Sequence, residues 1–481
     1  MRIALVACPA WANWAPNPAL LLLRAQLKRE GHAVRIWDLN IETYRAVSEK
    51  YRPWWLDENS IKWETAEEVE ALFRDHADFF EAKAAELAAF APGLVGFSLN
   101  SGARYTSPLM ARIVRRRVGA TPIVFGGADC FRSEQFTSYM IPGVVDAVCS
   151  GEGDFVLPEL ARAVETTGRI PPDQGGFCVW ENGAVRDNGE PRRPEDLDVL
   201  APIDIEDVDL RAYALRNRVT MSISRGCVKR CAFCSEGPNF FQFRTHTAEW
   251  MIAQLESLLP AIQAQSGQVP HINFNDSLIN GNVEVMDRMC DAILAKGLKF
   301  TWGGMAIIRA EMTREFLVKM RRAGCVEICW GIESGSTRIL KKMGKGVTVS
   351  LMDQVVRTAA AVGIMQYGNI IVGFPGERPA QFAESMLFAT KNRRYFGCLG
   401  LPIYTPAKNS TVFKSPHLFG MANLDPREWR TEDEVNTPAV RVLRRDILSM
   451  ILADKKFEQG RYAALESKYA VDLQNAEQRA Q

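Results

Sequence analysis

Short apolar runs alternate with amphipathic stretches along most of this chain, in two series. In the first 150 residues the strand-length runs are Arg2–Ala7, His32–Asp38, Leu94–Leu99, Pro122–Phe125 and, more weakly, Ala147–Cys149. Runs this short and continuous suit strands buried on both faces of a parallel sheet. Asn17-Pro18 offers a helix N-cap followed by proline at the first helical position. That helix runs to about Glu30, and Gly31 closes it. Residues 41 to 92 interrupt the series with charged helix bearing Trp54, Trp55, Trp63, Phe73, Phe79 and Phe80. Turns follow the later strands at Gly126-Gly127 and Gly151-Glu152-Gly153. The pattern predicts an α/β, doubly wound (Rossmann-like) domain over residues 1–167, a class that binds ligands outside the carboxyl ends of its strands.

Residues 168–210 are rich in Pro, Gly, Asp and Glu, and read as a linker with a small hairpin around Phe177–Val185. A second alternation follows, with strands expected at Val219–Ser224, His271–Asp276, Lys299–Gly303, Val326–Trp330, Gln366–Val372 and Cys398–Tyr404. Thr247, Thr313 and Ser350 are candidate caps at or near the starts of the intervening helices. Repeated parallel crossover units close into a barrel, with chemistry at the carboxyl ends of the strands. Six of them predict a partial (β/α)6 barrel over residues 211–405, open on one side. Residues 406–481 are expected to be mainly helical, with a long helix from Thr437-Pro438.

Composition narrows the function classes. At 481 residues the chain suits two or three domains. A net charge of +1 gives no bulk electrostatic case for a nucleic-acid partner, and no apolar run approaches a membrane span. Met1–Ala7 reads as a buried strand rather than a signal peptide. Eleven cysteines, an odd and mostly scattered set, argue against a disulfide framework and for a reducing compartment, the cytoplasm. Cys8, Cys130, Cys149, Cys178, Cys290, Cys325, Cys329 and Cys398 read as small core residues.

The remaining three differ. In Ser224-Arg225-Gly226-Cys227-Val228-Lys229-Arg230-Cys231-Ala232-Phe233-Cys234, the spacing is C-x3-C-x2-C directly after a strand. Thiolates are soft ligands for iron–sulfur clusters or zinc. Three ligands on one loop can hold three irons of a cubane and leave the fourth open to a substrate. A structural zinc site wants a fourth ligand, and His246, the nearest candidate, stands at no recognised zinc spacing. The spacing favours a cluster over zinc or idle thiols. Phe233 could pack beside a bound adenine, or with Phe240, Phe241 and Phe243 simply cover the site.

Together with later segments, this loop resembles the radical SAM superfamily, in the branch with an N-terminal cobalamin-binding domain. Asn273-Phe274-Asn275-Asp276 is similar to the acidic end of the second barrel strand in that family. Trp302-Gly303-Gly304 with Arg309 resembles the third-strand region. Gly331-Ile332-Glu333-Ser334-Gly335-Ser336 with Met343-Gly344-Lys345-Gly346 resembles the fourth, and Gly373-Phe374-Pro375-Gly376-Glu377 the fifth. The resemblance implies a [4Fe-4S] cluster on Cys227, Cys231 and Cys234, its open iron chelated by S-adenosylmethionine (SAM), and a 5'-deoxyadenosyl radical on reduction. Phe233, Asp276, Glu333 and Ser334 would then stand at strand ends near SAM. Gly126, Gly127, Gly151, Glu152 and Gly153 would border cobalamin in the first domain. The D-x-H-x-x-G loop, whose histidine ligates cobalt in other cobalamin proteins, is absent, and His32 reads as structural.

By the same resemblance the enzyme would be a C-methyltransferase. It would move a methyl group from SAM, through methylcobalamin, to a carbon of a small or medium-sized metabolite. Relatives with the same two domains carry out cyclisation or oxidation without net methyl transfer, which is the alternative. An electron donor such as flavodoxin or ferredoxin is implied. A transfer-RNA methylthiotransferase would need a second cysteine trio, which Cys8, Cys130, Cys149 and Cys178 are too scattered to supply.

Overall fold

A computed structural model describes residues 1–131, 136–240 and 242–453. Phe241 and the C-terminal stretch 454–481 expected to be helical lie outside the described residues. The chain divides into two compact units, Met1–Met221 with Ala253–Pro270, and Ser222–Ile252 with His271 onward.

In the first unit, β1 (Arg2–Ala7) leads through α1 (Pro18–Arg29) to β2 (Ala33–Asp38) and α2 (Leu39–Ala46). The expected cap is present: the Asn17 side chain accepts from the Ala19 N–H, with Pro18 opening the helix. The aromatic insertion folds as 3-10 turns followed by α3 (Ala66–Asp75) and α4 (Ala77–Ala89). Then come β3 (Leu94–Ser98), α5 (Thr106–Val118), β4 (Ile123–Gly126), β5 (Ala147–Cys149), α6 (Gly153–Thr167), β6 (Phe177–Glu181) and β7 (Ala184–Asp187). The sheet order is β2-β1-β3-β4-β5-β6-β7. The first five strands pair in parallel.

Successive side chains of a strand face opposite sides, and β1 shows it. Ile3 and Leu5 join one core with Leu20, Leu27, Val156 and Leu160. Ala4 and Val6 join the other with Trp37, Phe97, Phe125 and the insertion's Trp54, Trp63 and Phe80. The aromatic insertion is therefore the cover of one sheet face. The hairpin expected inside a linker is instead part of this sheet, β6 pairing antiparallel with β5. Its Phe177, Cys178 and Val179 are buried, and that apolar face is what draws the segment into the core.

The chain continues through β8 (Arg218–Met221), β9 (Ser224–Arg225), α7 (Glu236–Phe240), β10 (Arg244–Thr245) and α8 (Ala248–Ser266). It then alternates β11 (His271–Phe274), α9 (Val283–Lys296), β12 (Thr301–Ala306), α10 (Arg314–Arg322) and β13 (Cys325–Glu333). After these come α11 (Thr337–Lys342), α12 (Val349–Ala361), β14 (Met365–Ile370), α13 (Pro379–Asn392) and β15 (Cys398–Gly400). The second sheet has the order β15-β14-β13-β12-β11-β8, six strands as the alternation predicts. Parallel pairing is seen from β11 through β15. Thr313 caps α10 as expected, but α12 is capped by Thr348, leaving Ser350 within its first turn. The C-terminal region holds a short α14 (Thr411–Lys414), turns, and α15 (Pro438–Ala453). No helix among the described residues is long and apolar enough to cross a membrane.

Candidate active site

The cysteine loop leaves β9 through Gly226, whose φ is +76°. A Cβ there would lie 2.6 Å from the Gln242 carbonyl, so the loop can turn only on glycine. Cys227, Cys231 and Cys234 are free and half-buried. The Cys227 sulfur accepts the Lys229 N–H and the Cys234 sulfur the Glu236 N–H, each at 3.4 Å. Burial raises all three thiols, Cys234 to about 11. The Lys345 ammonium works the other way on Cys227 and Cys231. Thiols so placed are poor free nucleophiles, and a metal's positive charge in place of the proton makes them good ligands. Among the described residues no three His, Cys, Asp or Glu side chains converge on one ion. A cubane needs no such convergence, because each cysteine takes a different iron. The donor set and the half-buried loop fit a cluster.

The loop is braced from beneath. Ala232 N–H donates to the Met343 carbonyl at 2.8 Å, and its own carbonyl accepts from Val412 N–H at 3.0 Å. Phe233 packs edge-on against Phe374 at 6.5 Å. It borders a core of Ala232, Ile339, Met343, Phe374, Tyr404, Phe419 and Trp429. So Phe233 and the C-terminal turns form a support for the loop. His246 stacks on Trp250 with ring centroids 3.5 Å apart.

Asp276, 4% exposed, holds the loop's approach. Its carboxylate accepts from the Ile223 N–H at 3.0 Å, the Ser224 N–H, and the Ser224 hydroxyl at 2.7 Å. Burial pushes this carboxyl up to about 7. Its oxygens are thus engaged by the Ile223-Ser224 segment that leads into the cysteine loop.

Glu333 closes β13 at a register irregularity with φ +66°, a left-handed conformation uncommon for a non-glycine residue. Its Oε1 accepts from Lys345 Nζ at 3.0 Å. Ser334 is fully buried; its hydroxyl lies 3.2 Å from that of Ser385 and accepts the Ser336 N–H. Gly335 lies so close to α13 that a Cβ would come within 2.6–2.7 Å of Phe388, Glu384 and Ser385. Ser334 thus shapes the turn that presents Glu333. Below them, strand register sets Met305, Cys329, Tyr367 and Cys398 in one row across β12 to β15. Met305 is 44% exposed and Cys398 is exposed on the edge strand. Cys329 is half-buried. These two cysteines are therefore not the buried core residues expected.

In the first unit the glycines have neighbours of their own chain. A Cβ on Gly127, φ +105°, would collide with the Leu99 carbonyl. One on Gly126 would touch Cys149, one on Gly151 would lie 2.6 Å from Pro191, and one on Gly153 would meet Leu23 at 3.5 Å. Glu152 is buried and occupies the N-cap position of α6. Chain packing alone therefore requires much of the glycine pattern. Ser150, which sequence reasoning did not single out, directly follows β5 at 1% exposure, its hydroxyl without a partner among the described residues. Such an orphaned buried donor at a strand's carboxyl end fits a ligand of the large polar kind. His32 sits beside the N-terminal ammonium, its Nδ1 3.2 Å away.

Comparisons with known proteins give three kinds of likeness. Residues 221–389 match the Radical SAM superfamily. An uncharacterised methyltransferase of Pyrococcus horikoshii is 31% identical over 310 residues, 63% of this chain and 65% of the relative. A 4'-phospho-dehydrooxetanocin synthase of Priestia megaterium is 25% identical over 314 residues, 59% of this chain and 40% of the relative. The chain thus spans under two thirds of the length of each of these curated relatives. Among solved structures, the radical SAM methyltransferase TsrM of Kitasatospora setae, with tryptophan and a SAM analogue bound, has a TM-score of 0.67 at 17% identity. That match covers 94% of this chain and 89% of TsrM. A second TsrM structure, with cobalamin and a [4Fe-4S] cluster, has a TM-score of 0.63. These likenesses show that the two units have the fold of such enzymes.

Proposed function

We propose that this chain, whose residues 221–389 match the Radical SAM superfamily, is a cobalamin-dependent radical SAM enzyme that methylates a carbon of a small or medium-sized metabolite. The observation that carries this is the half-buried trio Cys227, Cys231 and Cys234 on one braced loop, beside Lys345 and the strained Glu333. When bound, the cluster and SAM supply a radical able to take hydrogen from an unactivated carbon, and cobalamin supplies the methyl-transfer centre. The three thiolates would hold the cluster and leave one iron for SAM. Asp276 fixes the strand that delivers the loop, and Ser334 and Gly335 aim Glu333 at the strand ends. Ser150 and the turns at Gly126-Gly127 and Gly151–Gly153 are the places where the first unit would meet cobalamin. The row Met305, Cys329, Tyr367 and Cys398 offers the metabolite a mostly apolar, polarisable surface. An acceptor for electrons of this kind needs a donor of the flavodoxin or ferredoxin type, and the cytoplasm suits its oxygen-sensitive chemistry.

The name of the Priestia relative, a synthase rather than a methyltransferase, favours cyclisation or oxidation as the second reading. The two separate without knowledge of the substrate. Protein loaded anaerobically with cluster and cobalamin, then given methyl-labelled SAM and dithionite, is expected to form S-adenosylhomocysteine and to retain the label. If only 5'-deoxyadenosine and methionine form and no label is retained, methyl transfer fails and the second reading replaces it.

A further inference from the structure

We infer that Lys345 is the residue that sets the reduction potential of the cluster, its buried ammonium paired with Glu333 on a turn packed against the cysteine loop. This rests on the cluster assignment proposed above and goes beyond it.

The turn Met343–Gly346 lies against the cysteine loop at several points. Met343 carbonyl accepts the Ala232 N–H at 2.8 Å. A Cβ on Gly344 would lie 3.4 Å from the Arg230 carbonyl, and one on Gly346 3.3 Å from Lys229 Nζ. Both glycines have positive φ, +71° and +63°, and the residue between them is turned inward. Lys341 and Lys342, just before, are exposed, whereas the Lys345 side chain is 7% exposed. A Cβ on Gly331 would lie 2.5 Å from Lys345 Nζ and 2.8 Å from Glu333 Oε1. The missing side chain at 331 is what lets this pair lie across β13.

A buried ammonium without a counter-charge is costly, and Glu333 offsets that cost. Burial works to lower the Lys345 pKa, but Glu333 and then the Cys231 and Cys227 thiolates raise it. The turn that carries this cation also packs on the cysteine loop through Met343, Gly344 and Gly346. Solvent screens such a charge little. The potential of an iron–sulfur cluster follows its net charge and surroundings, and a fixed cation favours the more negative, reduced form. Glu333 tempers that effect. Its unfavourable φ is a cost retained at this one point of the strand.

The test is a mediated redox titration of the reconstituted protein, followed by the electron paramagnetic resonance signal of the reduced cluster, with iron and sulfide content measured in parallel. Lys345→Met should shift the equilibrium at least tenfold against reduction, about 59 mV more negative for one electron. Glu333→Gln should shift it the opposite way, and Lys345→Arg should stay near the parent value. Equal potentials in Lys345→Met, Glu333→Gln and the parent, at full cluster content, would overturn the inference, as would shifts of the same sign. Unchanged potential with weakened SAM binding would make Lys345 a SAM ligand instead. If Lys345→Met cannot hold a cluster, Lys345→Gln, which keeps a polar partner for Glu333, takes its place and must show the same negative shift. A parent protein that binds no cluster at all would sink the functional proposal itself.

Discussion

Cys231→Ala is expected to bind no intact [4Fe-4S] cluster and to form 5'-deoxyadenosine from SAM only at background level. In the proposed site each of the three cysteines would take a different iron, so two remaining thiolates would not hold the cubane. The same substitution should leave the fold nearly untouched. Cys231 is half-buried, and the loop's attachment runs through its neighbours instead: Ala232 bonds to Met343 and Val412, and Phe233 packs on Phe374. Thermal unfolding of the apoprotein should therefore be close to the parent's while iron content collapses. Cleavage of SAM by the variant would show that the thiols are not the cluster ligands.

Asp276→Ala should act in the opposite manner, through the fold. It removes an acceptor that serves the Ile223 and Ser224 N–H groups and the Ser224 hydroxyl in a buried place. Leaving buried donors unpaired costs ~1–3 kcal/mol each, so a total loss of about 3–5 kcal/mol is expected by urea denaturation. Asp276→Asn keeps an acceptor and should lose less. It should also change the pH dependence. Burial raises the Asp276 carboxyl from 3.8 to about 7. Between those values the unfolded chain has released this proton and the folded one holds it. This group's contribution to stability therefore declines as pH rises from about 4 to 7 and levels off above. Asp276→Asn should flatten that slope. An unchanged slope would mean that Asp276 is ionised throughout in the folded protein.

Much of this was legible in local pattern. The apolar runs located the strands, because a parallel strand buried on both faces leaves a continuous signature. The Asn17-Pro18 cap and the spacing of Cys227, Cys231 and Cys234 are equally local. What was not legible depends on distant partners. Whether Phe177–Glu181 hangs free or pairs with Ala147–Cys149 cannot be read from its own alternation. Thr348 and Ser350 are equivalent as caps until the backbone chooses the first helical residue. Glu333 and Asp276 were visible as carboxylates at strand ends, but their partners, Lys345 and the Ile223-Ser224 backbone, come from elsewhere in the chain. Lys345 did carry a local signal, a lysine between two glycines, which becomes meaningful only when Gly344 and Gly346 take positive φ beneath the cysteine loop. The support from Val412, Phe419 and Trp429 had no sequence signal beyond their being apolar.

The proposed function requires a three-cysteine cluster whose fourth iron is open to SAM. Electron–nuclear double resonance on the reduced cluster, with SAM carrying a nitrogen isotope at its amino group, tests this most directly. A nitrogen hyperfine coupling that changes with the isotope, and is lost when SAM is omitted, is the predicted result. A reduced cluster that shows no coupling to SAM nitrogen at saturating SAM would contradict it.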